Sequence, residues 1–144
     1  MLNLARRIKR IESQSKRSIH SYEYGCVNLI NKSGVILYPG NIVVLAWEFS
    51  YGVELATVQG SQAPMVVLDE SKPETNVKCT KKGYGIIEVV CDGPYILPCD
   101  AIVTSPTPSY GMIDNSVYTT ALNFLGFALE PKEDLEVKAI SILV

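Results

Sequence analysis

The spacing of apolar residues changes once along this chain. Near its start, Leu4, Ile8 and Ile11 recur at i, i+4 and i+7, which aligns them on one face of a helix while Arg7, Lys9 and Arg10 point elsewhere. The pattern predicts an amphipathic helical arm of about four turns within residues 1–20. A helix that short is marginal alone in water, so its stripe must bury against sister copies in a short coiled coil, a groove on another protein, or the body of the chain itself.

From Tyr22 onward the period falls to about two, and short apolar runs alternate with turn signals. The runs are CVNLIN (26–31), NIVVLAWEF (41–49), GVELATV (52–58), MVVL (65–68), IIEVVC (86–91), AIVT (101–104), FLGFALE (124–130) and LEVKAISILV (135–144). Between them lie KSG, PG, GSQAP, DESKPETN, KKGYG and DGP, rich in Gly, Pro, Asp and Asn. This predicts an all-β domain over residues 21–144, an antiparallel sandwich or barrel, with no helix beyond the arm except a turn near 117–122. In the last run the alternation slips near Ala139 and Ile140, which predicts a bulge. So apolar a terminal strand has to be paired on both sides, since an exposed edge would invite aggregation.

Length and composition agree with that plan. A chain of 144 residues that is 47% hydrophobic and 19% charged suits one globular core. Charge is divided unevenly: residues 1–20 hold six bases (Arg6, Arg7, Lys9, Arg10, Lys16, Arg17) and one acid, Glu12, while the rest hold seven bases and fourteen acids. A net charge of −2 thus conceals a cationic arm on an acidic body. The bases form a solvated face or a partner-protein contact; the acidic body opposes nucleic acid, and no membrane partner is expected. No run of 18 apolar residues and no secretory leader is present, so the expectation is a protein neither membrane-spanning nor exported.

Candidate chemistry is sparse. Cys26, Cys79, Cys91 and Cys99 have no zinc-like spacing, and His20 is the only histidine, so no metal and no cofactor is expected. The thiols read as reduced, small apolar side chains, although Cys91 and Cys99 flank a predicted turn where the two could meet. No phosphate-binding glycine loop, zinc-protease helix or nucleophile elbow occurs, and a triad would have to recruit His20 from the arm. Asp92 and Asp100 could form a carboxylate pair; the structural alternative is a type I′ turn at Asp92-Gly93 and an amide-accepting turn carboxylate at Asp100. Tyr95, Tyr110 and Tyr118 are either an aromatic platform for sugars or bases, or half-buried packing. An enzyme is not expected.

One stretch, ILPCDAIVTSPTPSYGMI, with FLGFALEP and LEVKAISILV downstream, resembles a module of tailed-phage structural proteins, found in capsid decoration (cement, auxiliary) proteins and in fibres. Asp100, Ser105, Thr107, Pro108 and Tyr110 match its first block, Gly126, Ala128, Leu129 and Glu130 its second, and Ile140, Ile142, Leu143 and Val144 its closing strand. Cys99 and Ser109 replace glycines of the pattern, both where glycine permits positive φ. The likeness is strongest over residues 94–144 and weaker over NLINKSGVILYPGNIVVL and the basic arm. It implies a virion structural protein, assembled in the host cytoplasm, that binds and stabilises the capsid shell. Its expected partners are the major capsid protein or another virion protein and copies of itself; symmetric shells make a trimer attractive, with the stripe of Leu4, Ile8 and Ile11 as part of a three-stranded seam. The alternative is a tail or head fibre module recognising host-surface glycan.

Overall fold

The computed structural model describes residues 25–116 and 120–144. The arm residues Leu4, Arg6, Arg7, Ile8, Lys9, Arg10 and Ile11, with Tyr118, lie outside them. The described chain is all-β, with one 3-10 turn at Ala121–Asn123 and ten strands: β1 Cys26–Asn31, β2 Ile42–Leu45, β3 Gly52–Leu55, β4 Met65–Val66, β5 Asn76–Thr80, β6 Ile86–Cys91, β7 Ala101–Thr104, β8 Gly111–Ile113, β9 Gly126–Ala128 and β10 Lys138–Leu143.

The first five strands form one sheet in the order β4-β2-β3-β1-β5, and the last five close a barrel in the order β9-β7-β8-β6-β10. These are the same order counted from different starting strands. Each half pairs its first strand parallel to its third, β1 with β3 and β6 with β8, while the remaining ladders run antiparallel. The expected purely antiparallel architecture is therefore corrected to two mixed sheets. A parallel pair needs a crossover, and here the two-strand hairpin that follows β1 and β6 supplies it.

Local bonds repeat as well. Tyr38 N donates to Asn41 Oδ1 at 2.7 Å, and Leu97 N donates to Asp100 Oδ2 at 2.8 Å. Leu37 bridges Ser71 as Ile96 bridges Lys132, and Gly40 N reaches Val67 O as Cys99 N reaches Ala128 O. Positive φ recurs at Gly40 and Cys99, Tyr51 and Ser109, and Glu74 and Leu135. The chain is thus an internal structural duplication, two copies of one five-strand module.

Burial explains the strands. Leu29, Leu37, Val43, Val53, Val67, Val77 and Cys79 fill the first module. The second core holds Val89, Cys91, Ile96, Ile102, Leu125, Ala128, Ile140 and Ile142, but also Ile42, Ala56 and Val66 from the first sheet. The modules share that core and are cross-bonded: Thr104 Oγ1 donates to Val58 O at 2.6 Å and accepts from Ser61 N at 2.8 Å, and Gly60 N donates to Thr104 O at 3.0 Å.

Several sequence expectations change. The runs at 41–49, 52–58 and 124–130 are strand only over β2, β3 and β9, and β5 and β8 were not anticipated. Asp92-Gly93 is not a type I′ hairpin, because the strands flanking it do not pair; β6 pairs with β8 and β10. No bulge interrupts β10, whose six residues pair in unbroken register with β6 from Lys138–Cys91 to Leu143–Ile86. The slip in alternation marks where the loop carrying exposed Leu135 and Val137 becomes strand. The terminal strand is paired on both sides, by β6 and β9, as its apolarity requires.

Candidate functional site

Residues 91–111 of the second module gather most of the sequence-singled side chains, and Asp92, Asp100, Ser105 and Thr107 are tied into local turns. Asp100 closes the 97–100 corner through its bond from Leu97 N, and the corner's Cys99 sits at φ 78. Ser109 holds φ 72. Both glycine replacements therefore adopt the left-handed conformation expected of those positions, at a cost of about 1–2 kcal/mol each, and the corner keeps its shape. Ser105 is buried, its Oγ accepting from Thr107 N at 3.1 Å, and Thr107 Oγ1 donates to Asp92 Oδ2 at 2.7 Å. Tyr110 is half-buried, its backbone closing the turn with Ser105 and Thr107.

Asp92 and Asp100 are not brought together as an acid-base pair: the first is tied to Thr107, the second to its own turn. The second oxygen of Asp92, Oδ1, is buried without a donor. Beside it lies a residue that sequence reasoning missed, Lys132, only 2% exposed. Its Nζ donates to Gly93 O at 2.8 Å, Glu133 O at 2.9 Å and Glu136 O at 3.0 Å, which uses all three ammonium donors. Lysines are rarely fully buried without such partners. Here the ammonium pins the loop leading to β10 against the 92–94 crossing, a structural task. Nothing in the local pattern EPKEDLE marks this lysine as buried.

The four cysteines form no disulfide: Cys26, Cys79 and Cys91 are buried and Cys99 is exposed, so Cys91 and Cys99 do not meet. Burial pushes the Cys79 and Cys91 thiols up to about 12. At Cys91, nearby Lys132 opposes the rise and Asp92 adds to it. Such thiols are inert, unlike activated nucleophiles. Among the described residues no group of three His, Cys, Asp or Glu could hold a metal ion, and no helix is long and apolar enough to cross a membrane.

The second block of singled-out residues is also structural. Gly126 and buried Ala128 belong to β9, and a Cβ on Gly126 would overlap Leu143 O, so glycine is needed where β9 approaches β10. Leu129 is exposed and Glu130 partly so. Of the tyrosines weighed as aromatic platform or packing, Tyr95 is exposed, Tyr110 half-buried and Tyr118 outside the described residues; the ring pair among the described residues is Phe124 with Phe127, edge to face at 5.9 Å.

What the surface offers is apolar. A cleft of about 540 Å³ opens between Leu45, Met65, Lys82, Leu122, Phe124 and Phe127, at the junction of the two sheets. Burial depresses the pKa of Lys82, and its Nζ donates to Phe124 O and Leu125 O. Large exposed apolar side chains crowd the first module's 46–51 turn, where Trp47, Phe49 and Tyr51 alternate with Glu48 and Ser50. Such patches mark contact surfaces more often than catalytic ones.

No family model matches the chain, and no curated relative matches it. Among solved structures, the chain is similar to one described as the crystal structure of head fiber gp8.5 N base in bacteriophage phi29, with a TM-score of 0.56 over 83% of this chain and 92% of that one. Sequence identity is 11%. The likeness establishes a shared fold.

Proposed function

We propose that this protein is a virion structural component of a tailed phage that binds and stabilises the capsid shell as a decoration protein, with the major capsid protein or another virion protein as its partner. The reading rests on one observation above others: its fold is that of a phage head-fibre base over nearly the whole of that base. The signature residues Asp100, Ser105, Thr107, Pro108 and Tyr110, with Gly126, Ala128, Leu129 and Glu130, build corners and ladders, as a structural role requires. The chain is not an enzyme in this reading. Many weak contacts to a repeating shell add up to tight binding through effective concentration, so no single deep site is needed.

Mixing the purified protein with shells that lack it should give saturable, stoichiometric cosedimentation. Protein that stays in the supernatant at every concentration would end the proposal. A second reading, a fibre module that recognises host-surface glycan, is favoured by the matched structure being itself a fibre base. Under it, a glycan array gives one positive sugar class that Tyr110→Ala abolishes without unfolding the chain.

A further inference from the structure

The duplication exposes one surface twice, once covered and once bare. Inside the chain, the turn between β7 and β8 docks on the first module: Ser109 Oγ accepts from Asn41 Nδ2 at 2.8 Å and from Ile42 N at 3.3 Å, while Ser109 N donates to Ala56 O at 3.1 Å. Beneath that turn the cross-strand pair Ile42–Val66 is fully buried in the shared core.

The first module has the corresponding turn, one residue longer between its closing bonds, at residues 46–51 between β2 and β3. Its closing bonds are the same: Ala46 N to Gly52 O matches Ser105 N to Tyr110 O, and Gly52 N to Phe49 O matches Tyr110 N to Thr107 O. By these bonds, and by its φ of 59, Tyr51 stands where Ser109 stands. Yet Tyr51 is 75% exposed and Trp47 88% exposed, and Phe49 also faces solvent. The receiving pair is duplicated too. Ala101 pairs with Phe127 as Ile42 pairs with Val66, but Phe127 is 46% exposed where Val66 is fully buried, and it lies next to Phe124.

One chain therefore carries an unused docking turn on its first module and an unused receiving surface on its second, both apolar. We infer that copies of this chain associate head to tail, with the 46–51 turn of one copy seated on the Ala101–Phe127 surface of the next, repeating between chains the contact that joins the modules within one. The occupant is a second copy because the chain joins the corresponding turn, 105–110, to the corresponding Ile42–Val66 surface; between copies Tyr51 and Asp100 stand where Ser109 and Asn41 stand, so apolar contact replaces the Ser109 hydrogen bonds. Contacts of this heterologous kind close into a ring when the rotation permits and otherwise continue as a filament. The inference concerns copies of this chain alone, so it stands or falls apart from shell binding.

Trp47 is the only tryptophan in the chain and sits in the docking turn, so its fluorescence reports the contact directly. With the full chain, light scattering should show a mass that rises with concentration to a multiple of the monomer, with Trp47 emission shifting to the blue in step. Tyr51→Asp, tolerated at positive φ, and Phe127→Glu should each hold the chain monomeric with red emission and unchanged circular dichroism. Phe49→Glu serves if Tyr51→Asp unfolds. Mixing the Tyr51→Asp and Phe127→Glu chains should restore pairs and stop there, because each retains one intact surface. A wild-type chain that stays monomeric, an assembly indifferent to these substitutions, or a mixture that fails to pair would each overturn the inference.

Discussion

Cys79 and Cys91 show how a residue type with a reactive reputation becomes packing. Both lie inside a module, and burial raises their thiols from 9.0 to about 12. The pH dependence follows. Below about pH 9 the thiols are protonated in folded and unfolded chains alike, and their contribution to stability is intact. Above it the unfolded chain releases the protons and the folded one does not, so stability falls progressively between pH 9 and 12. Denaturant midpoints measured from pH 8 to 11 should drop less steeply in a Cys79→Ala, Cys91→Ala chain than in the wild type, once each is referenced to its own value at pH 8. Equal slopes would show that the thiols do not ionise differently on unfolding. Cys99, exposed at its corner, should meanwhile react with an aromatic disulfide reagent without prior unfolding.

Among the elements, β9 shows most clearly how little strand propensity decides. Three residues, Gly126–Ala128, close the second module's barrel by pairing with both β7 and β10. The closure works because the backbone of β9 comes within contact of Leu143 O, which only a glycine at 126 allows. Gly126→Ala should therefore push β10 outward and cost about 1–3 kcal/mol, the usual range for overpacking, measured as a lower midpoint in chemical denaturation. An unchanged midpoint would mean that the barrel is looser at this seam than the structure shows. The sequence pattern located most strands, because a sheet with one buried face must alternate. It could not locate β8, three residues beside a proline-rich turn, or distinguish the Asp92-Gly93 crossing from a hairpin, because pairing partners are chosen by distant residues.

For the whole molecule, the two modules are welded rather than strung. Ile42, Ala56 and Val66 lie in the second module's core, and Thr104, fully buried, bonds Val58 O and Ser61 N across the junction. Unfolding should accordingly be a single transition in which calorimetric and van't Hoff enthalpies agree. Thr104→Val should lower its midpoint, at a cost of about 1–3 kcal/mol for the stranded buried partners, without splitting it. Two resolved transitions would show that the modules are independent. The duplication is written only faintly in the chain, as Leu-Tyr-Pro-Gly-Asn before IVVL at 37–45 and Ile-Leu-Pro-Cys-Asp before AIVT at 96–104. Positions of equal geometry tolerate Gly or Cys, and Asn or Asp, so identity between the copies has little reason to persist.

From its residues alone, this protein is determined to be an all-β body: period-two alternation, turn chemistry and positive-φ positions are local, and each is legible in a few neighbouring residues. Which strands pair, that two segments fold alike, that Lys132 is buried and that one aromatic turn is exposed were decided only by the tertiary structure. Those outcomes depend on contacts between residues tens of positions apart, and no short window of sequence contains both partners.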